Sequence, residues 1–216
     1  MSASRSREVQ VGVAAVVLVG ILGISPLNPF RPGHADAGSP SVTAEVEKVA
    51  TTALIAGQNL GLDESEVVWE VRALPAAPQS AASAAARAMP QAAAIEQRRQ
   101  ALHKRVADIF SGSAVRARMD VGVENMVANL VDPDTRDLGG GVSSIKFTSA
   151  LVNNTSASLA ATATVWAEFA AKGMNGEWIV ARPEGPIIVH FDLVKSAAGK
   201  WTVENMVSSF ASGSGP

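Results

Sequence analysis

The sequence predicts an α+β fold, with helices packed on one face of a curved antiparallel sheet, preceded by an N-terminal transmembrane helix. Three observations predict it. Apolar residues recur at helical spacing as far as Leu130, then alternate with polar ones beyond Gly141. Short links rich in Gly and Asn join the alternating runs, as hairpins require. Arg5 and Arg7 precede an uncharged apolar run from Val9 to Ile24.

That run defines a transmembrane or signal-anchor segment over residues 9–30, with residues 1–8 in the cytoplasm and 31–40 as spacer. Its uncharged core extends about 24 Å at ~1.5 Å per residue, so the flank up to Phe30 must help to cross a ~30 Å hydrocarbon layer. Ala35-Asp36-Ala37 matches a small-x-small cleavage signal, and secretion after cleavage near Ala37 is the alternative. Pro26, Pro29 and Pro32 separate that signal from the apolar run, which favours a retained anchor in the cell membrane. Either way, the rest of the chain is expected outside the cytoplasm.

Ser39-Pro40 opens a helix and Gly61 closes it, with Val42, Val46, Val49, Ala53, Ala56 and Leu60 on one side. The remainder of residues 41–74 fits strand or helix: Val67, Trp69 and Val71 alternate, yet Val67, Val68 and Val71 also share a helical face. Residues 75–90, rich in Ala, Pro, Ser and Gln, read as a linker. An α+β domain follows over 91–210, with 211–216 as a flexible tail. Its first helix spans Gln91 to Phe110, with the apolar stripe Ile95, Leu102, Val106, Ile109 and Phe110. The next carries Val115, Met119, Val123, Met126, Val127 and Leu130, and Asp132-Pro133-Asp134 stops it. Gly139-Gly140-Gly141 reads as a flexible turn.

Five strands are expected after it. Ile145, Phe147 and Leu151 alternate in the first, and Asn153-Asn154 turns the chain. Leu159, Ala161, Ala163, Val165, Ala167 and Phe169 face one way in the second, with Thr162, Thr164, Trp166 and Glu168 opposite. Glu177 to Ala181 is the third, and Arg182 to Pro186 is excluded from a central strand because proline lacks the amide donor. Ile187, Val189, Phe191 and Leu193 give the fourth an apolar face, with Ile188, His190, Asp192 and Val194 behind it. A turn at Gly199 leads to the last strand, where Trp201, Val203 and Val207 share a face that Asn205 interrupts. Trp178 and Trp201 are expected to be shielded from solvent.

Composition removes several functions. Cysteine is absent, which excludes disulfides, thiolate metal sites and a cysteine nucleophile. Asp132, Asp134 and Asp137 lack the glycine and distal glutamate of an EF-hand loop, and Gly139 to Gly141 lacks the lysine of a phosphate loop. No catalytic, cofactor or metal residue is assigned. Charge is uneven: between Arg87 and Arg118 seven basic residues meet two acids, a net +5 in a chain of formal charge −2. Arg98, Arg99, Lys104, Arg105, Arg116 and Arg118 thus form a candidate patch for an envelope protein or an anionic surface. Nucleic acid is not an expected partner outside the cytoplasm.

The closing hairpin, Phe191-Asp192-Leu193-Val194-Lys195 then Gly199-Lys200-Trp201, resembles that of the nuclear-transport-factor-two-like, cystatin-like cone. The resemblance runs over roughly Gln91 to Phe210. Gly139-Gly140-Gly141-Val142 and Val165-Trp166-Ala167-Glu168 are similar to this class in membrane-anchored actinobacterial proteins. The resemblance implies one of two functions. One is a tethered accessory domain without catalytic activity, in a cell-envelope transport or conjugation assembly, free to self-associate through its sheet. The other is a small-molecule-binding or isomerase-like enzyme using the cone pocket with an Asp or His base. Its candidates are Trp166, Glu168, His190 and Asp192. By alternation, His190 and Asp192 point away from the apolar face, which argues against the pocket.

Overall fold

A computed structural model describes residues 40–59, 69–70 and 89–211. The proposed anchor, the spacer, most of the linker and the tail from 212 on lie outside them. Among the described residues no helix is long and apolar enough to cross a membrane.

Helix α1 spans Pro40–Asn59, α2 spans Ala92–Ile109 and α3 spans Ser113–Val131. A two-residue pair, β1 (Trp69–Glu70) and β2 (Met89–Pro90), brackets the linker antiparallel. Five strands follow: β3 (Thr135–Val152), β4 (Ser156–Lys172), β5 (Trp178–Ala181), β6 (Glu184–Lys195) and β7 (Trp201–Phe210). The sheet runs β3-β4-β6-β7 in antiparallel pairs, with β5 also along β4. This is the α+β arrangement expected, helices gathered on the apolar face of an antiparallel sheet.

One apolar core joins all three helices to the sheet. Val46, Ala50, Ala53 and Leu54 of α1, Leu102 and Val106 of α2, and Val115, Met119 and Val123 of α3 pack with Leu159, Val189, Phe191, Leu193, Trp201 and Met206. Helix α1 is therefore part of this core. Its buried stripe includes Ala50 and Leu54, which the simplest helical count passes over.

The sheet bends because β3 carries extra residues. Its pairing with β4 skips Leu138, Ser143 and Thr148 in turn, three bulges five residues apart. Each bulge adds twist and bends the strand. Each also inverts the side-chain alternation, which accounts for one departure from expectation. Beyond Thr148, Leu151 is turned to solvent and Val152 is buried. The same happens in β7, where the register shift opposite Asp192 and Leu193 leaves Glu204 unpaired. Trp201 and Val203 face the core before it, Met206 and Ser208 after it, and Val207 swings outward.

Three more expectations need correction. Gly139 to Gly141 is not a turn but lies inside β3, paired with Glu168, Ala167 and Trp166. Pro186 lies inside β6, which starts at Glu184. It is accommodated at the end of β7, where its carbonyl accepts the amide of Ala211. Indeed β5 and β6 run along β4 in one unbroken register, Phe169 opposite Ala181 and Trp166 opposite Glu184. The break between them is Pro183: its carbonyl accepts the Ala167 amide, but it has no amide to return. Finally, Trp201 is buried but Trp178 is only half-buried. Strand β5 pairs with β4 alone, and its Ile179 and Val180 are exposed as well.

Candidate functional site

Three places gather polar side chains, and they differ in what they can do. The first is the outer face of the sheet. His190 and Asp192 stand there, exposed, opposite the core residues Val189 and Phe191. Asp192 accepts hydrogen bonds from Ser158 Oγ at 3.0 Å and Asn205 Nδ2 at 3.3 Å. These partners tie together β4, β6 and β7. His190 pairs across the sheet with Ala160 and Val207, neither of which offers a side-chain partner. The two residues share a face without forming an acid/base pair.

Trp166 and Glu168 share that outer face farther along β4. The Trp166 indole lies over Gly139 and Gly141, and a methyl group on Gly141 would come within 3.1 Å of the ring. Gly139, with φ +154°, has a backbone few side chains adopt. Arg182, from the break between β5 and β6, stacks over the ring at 4.0 Å and approaches Glu168 at 3.8 Å. The glycine run is therefore a floor for the indole. Trp166 pins edge strand β3 to the β5–β6 break through ring contact and a cation–π pair worth roughly 0.5–1 kcal/mol.

The second place lies at the β3 end nearest α3. Asp137 is directly opposite Phe169, on the same face as Val165 and Ala167 by alternation along β4. Asn129 of α3 donates to its carboxylate at 2.9 Å. Burial pushes the Asp137 carboxyl above its usual range, and the Asn129 hydrogen bond offsets part of that. Its neighbour Arg136 is buried and donates to the carbonyls of Asp132 and Thr135, which closes the last turn of α3. Sequence reasoning weighed Asp137 only as a calcium-loop residue, because the stretch between the helix stop at Asp132-Pro133-Asp134 and Ile145 was read as a turn and not as strand.

The third place is the α2–α3 pair, which holds the basic residues. Arg99 bonds Glu96 at 2.7 Å and approaches Glu124 at 3.3 Å. Arg118 is half-buried and donates to the Met206 carbonyl at 2.9 Å. Arg98 and Arg105 are half-buried, whereas Lys104 and Arg116 are exposed. His103 sits between Asp120 and Glu124, at 2.7 and 2.9 Å. The antiparallel helices thus fold two acids back onto the basic stretch, which leaves Lys104 and Arg116 as its most open cations. A readable signal for this existed: Arg99 and His103 are four apart on α2, as are Asp120 and Glu124 on α3.

Among the described residues, no group of His, Asp or Glu is arranged to hold a metal ion.

Helices seated on the apolar face of a bulged, bent antiparallel sheet give this domain a cone-like α+β fold, the arrangement that the resemblance to the nuclear-transport-factor-two-like class implies. No protein-family model matches the chain, and no curated protein does. Solved structures give matches. The chain is similar to the intermembrane space region of the chloroplast protein ARC6, at 13% identity over 50% of this chain and 78% of that one, TM-score 0.39. It is similar to ActVI-ORFA from Streptomyces coelicolor, at 14% identity over 51% and 80%, TM-score 0.29. An Ntf2-like protein involved in plasmid conjugation matches at 9% identity over 52% of this chain and 40% of that one, TM-score 0.27.

Proposed function

We propose that this protein is a membrane-tethered, extracytoplasmic interaction domain without catalytic activity, an accessory part of a cell-envelope transport or conjugation assembly. The observation that carries this reading is how the cone is filled. Val46, Ala50, Ala53 and Leu54 of α1 meet Leu159, Val189, Phe191 and Leu193 of the sheet, all at 0–1% exposure. Side chains packed to that degree occupy the space in which a cone enzyme would seat its substrate. The basic segment before Val9 and the charge-free run to Ile24 support the tether. The partner surface is the helix side around Lys104, Arg105 and Arg116, facing an anionic surface or an acidic envelope protein. The outer sheet face, with Thr162, Ile188 and His190, is the surface offered to a second copy.

One observation favours the enzyme reading: Asp137, part-buried with a raised pKa and held by Asn129, is the kind of carboxyl a proton-transfer site needs. A single experiment separates the two. Cells carrying Asp137→Asn or the double change His190→Ala, Asp192→Ala are expected to keep their phenotype and the partners recovered with the tethered protein from membranes. Cells carrying Lys104→Glu, Arg105→Glu and Arg116→Glu together are expected to lose the partners. Loss of phenotype with Asp137→Asn, in a protein that folds and reaches the membrane, overturns the interaction reading in favour of the enzyme.

A further inference from the structure

We propose that His103 is a proton-operated latch between α2 and α3, closed when its imidazole carries both protons. The geometry requires that charge state. Nδ1 lies 2.7 Å from Asp120 Oδ1 and Nε2 lies 2.9 Å from Glu124 Oε1. An ionised carboxylate only accepts hydrogen bonds, so both ring nitrogens must donate, and only the imidazolium has two N–H groups. Asp120 and Glu124 stand one helical turn apart on α3, two like charges that repel unless a cation lies between them.

The cluster continues along α2. Arg99, one turn before His103, reaches Glu124 at 3.3 Å and Glu96 at 2.7 Å, and Gln100 donates to Glu96 at 3.0 Å. Among the described residues, Glu96, Arg99, Asp120 and Glu124 are the charged groups set around His103. Their signs alternate across the two helices, Glu96–Arg99–Glu124–His103–Asp120. Removing the imidazole proton changes the cluster from −1 to −2. It also turns one nitrogen lone pair toward a carboxylate oxygen at hydrogen-bond distance.

The two ends of α2 are held differently. At its C-terminal end Phe110 is buried, and the next amide, Ser111, donates to Val203 of β7 at 2.9 Å. In the first half of α2, from Ala92 to Gln100, every residue is exposed or half-exposed, and the buried Leu102 and Val106 come only in the second half. His103 stands just beyond that half, and its cluster reaches into it through Arg99 and Glu96, so the latch steadies the end of α2 that the core holds least. Deprotonation loosens that half and leaves the Phe110 end in place.

The hydrogen bonds that the ring donates to Glu124 and Asp120 hold the His103 pKa above the ordinary value of 6.5. The latch is thus fully closed below about pH 6.5, the ordinary unfolded value, and opens as pH rises through the folded-state pKa.

The test uses the full chain in detergent, wild type beside His103→Gln, at pH values from 6 to 9. The Tm advantage of the wild type is expected to fall by at least half across that range. Hydrogen exchange over residues 92–100, corrected for intrinsic rates, is expected to rise in the wild type and stay level in the variant. Nitrogen NMR of the imidazole gives a second readout if the variant folds poorly. The wild-type ring should be doubly protonated at pH 7, and Glu124→Gln should move its midpoint down toward the free value. A pH-independent Tm difference, or a single neutral tautomer at pH 7, overturns the proposal.

Discussion

Glycine to alanine is the smallest substitution with opposite outcomes at different positions in this chain. At Gly112 a methyl group would overlap the backbone carbonyl of Glu204, the unpaired residue of the β7 bulge. Neither backbone can yield cheaply, so Gly112→Ala is expected to destabilise by about 1–3 kcal/mol or more in chemical denaturation. At Gly122, on α3, a methyl group meets nothing within 4 Å, and the same change is expected to stabilise by about 1 kcal/mol. Phe191, fully buried between sheet and helices, should cost about 3–5 kcal/mol when cut to Ala. Asp137 adds a pH signature. Its carboxyl binds its proton more tightly in the folded chain than at the ordinary 3.8, so its stability contribution is present below that value and lost as pH rises through the folded pKa. The stability of wild type relative to Asp137→Asn should therefore fall with rising pH from about 4 upward. A flat difference would mean that the carboxyl is solvated.

At the scale of elements, alternation was legible wherever no residue was inserted. Ile187 to Leu193 and Leu159 to Ala167 face the core as their period of two requires. The reading failed where a bulge adds a residue, because a one-residue insertion flips every later side chain and leaves no local mark in the sequence. Leu151 and Val207 failed for that reason, whereas Asp137 was missed because its stretch was read as a helix stop and a turn and not as strand. Pro183 was legible as a break but not as a break within one register, because the loss of a single hydrogen bond does not end a strand that β4 continues to pair. The glycine run was legible as flexible backbone. Its role as a floor needed the cross-strand position of Trp166, which only the pairing supplies. Helix α1 gives the element-scale prediction. A chain begun at Gln91 loses Val46, Ala50, Ala53 and Leu54 from the core. It is expected to lose cooperative unfolding and to bind a hydrophobic dye, whereas a chain begun at Ser39 should melt in one transition. A cooperative melt from the shorter chain would show that α1 is dispensable.

At the scale of the whole molecule, the proposed function sets a packed cone on a proposed N-terminal tether. Under the proposed function the packed core serves to hold a surface in place rather than to enclose a substrate. Under the same proposal a tether would bring the charge gathered on the helices close to anionic lipids or wall polymers. The candidate site was legible in part: the basic stretch could be read from composition. The acids that fold back onto it became visible only when α2 and α3 were paired. Protease treatment of intact cells producing the full chain with a C-terminal tag tests the central claim most directly. If the proposed function holds, the untreated chain stays in the membrane after carbonate extraction and external protease removes the tag. A tag that survives on a full-length chain in the soluble fraction would contradict it.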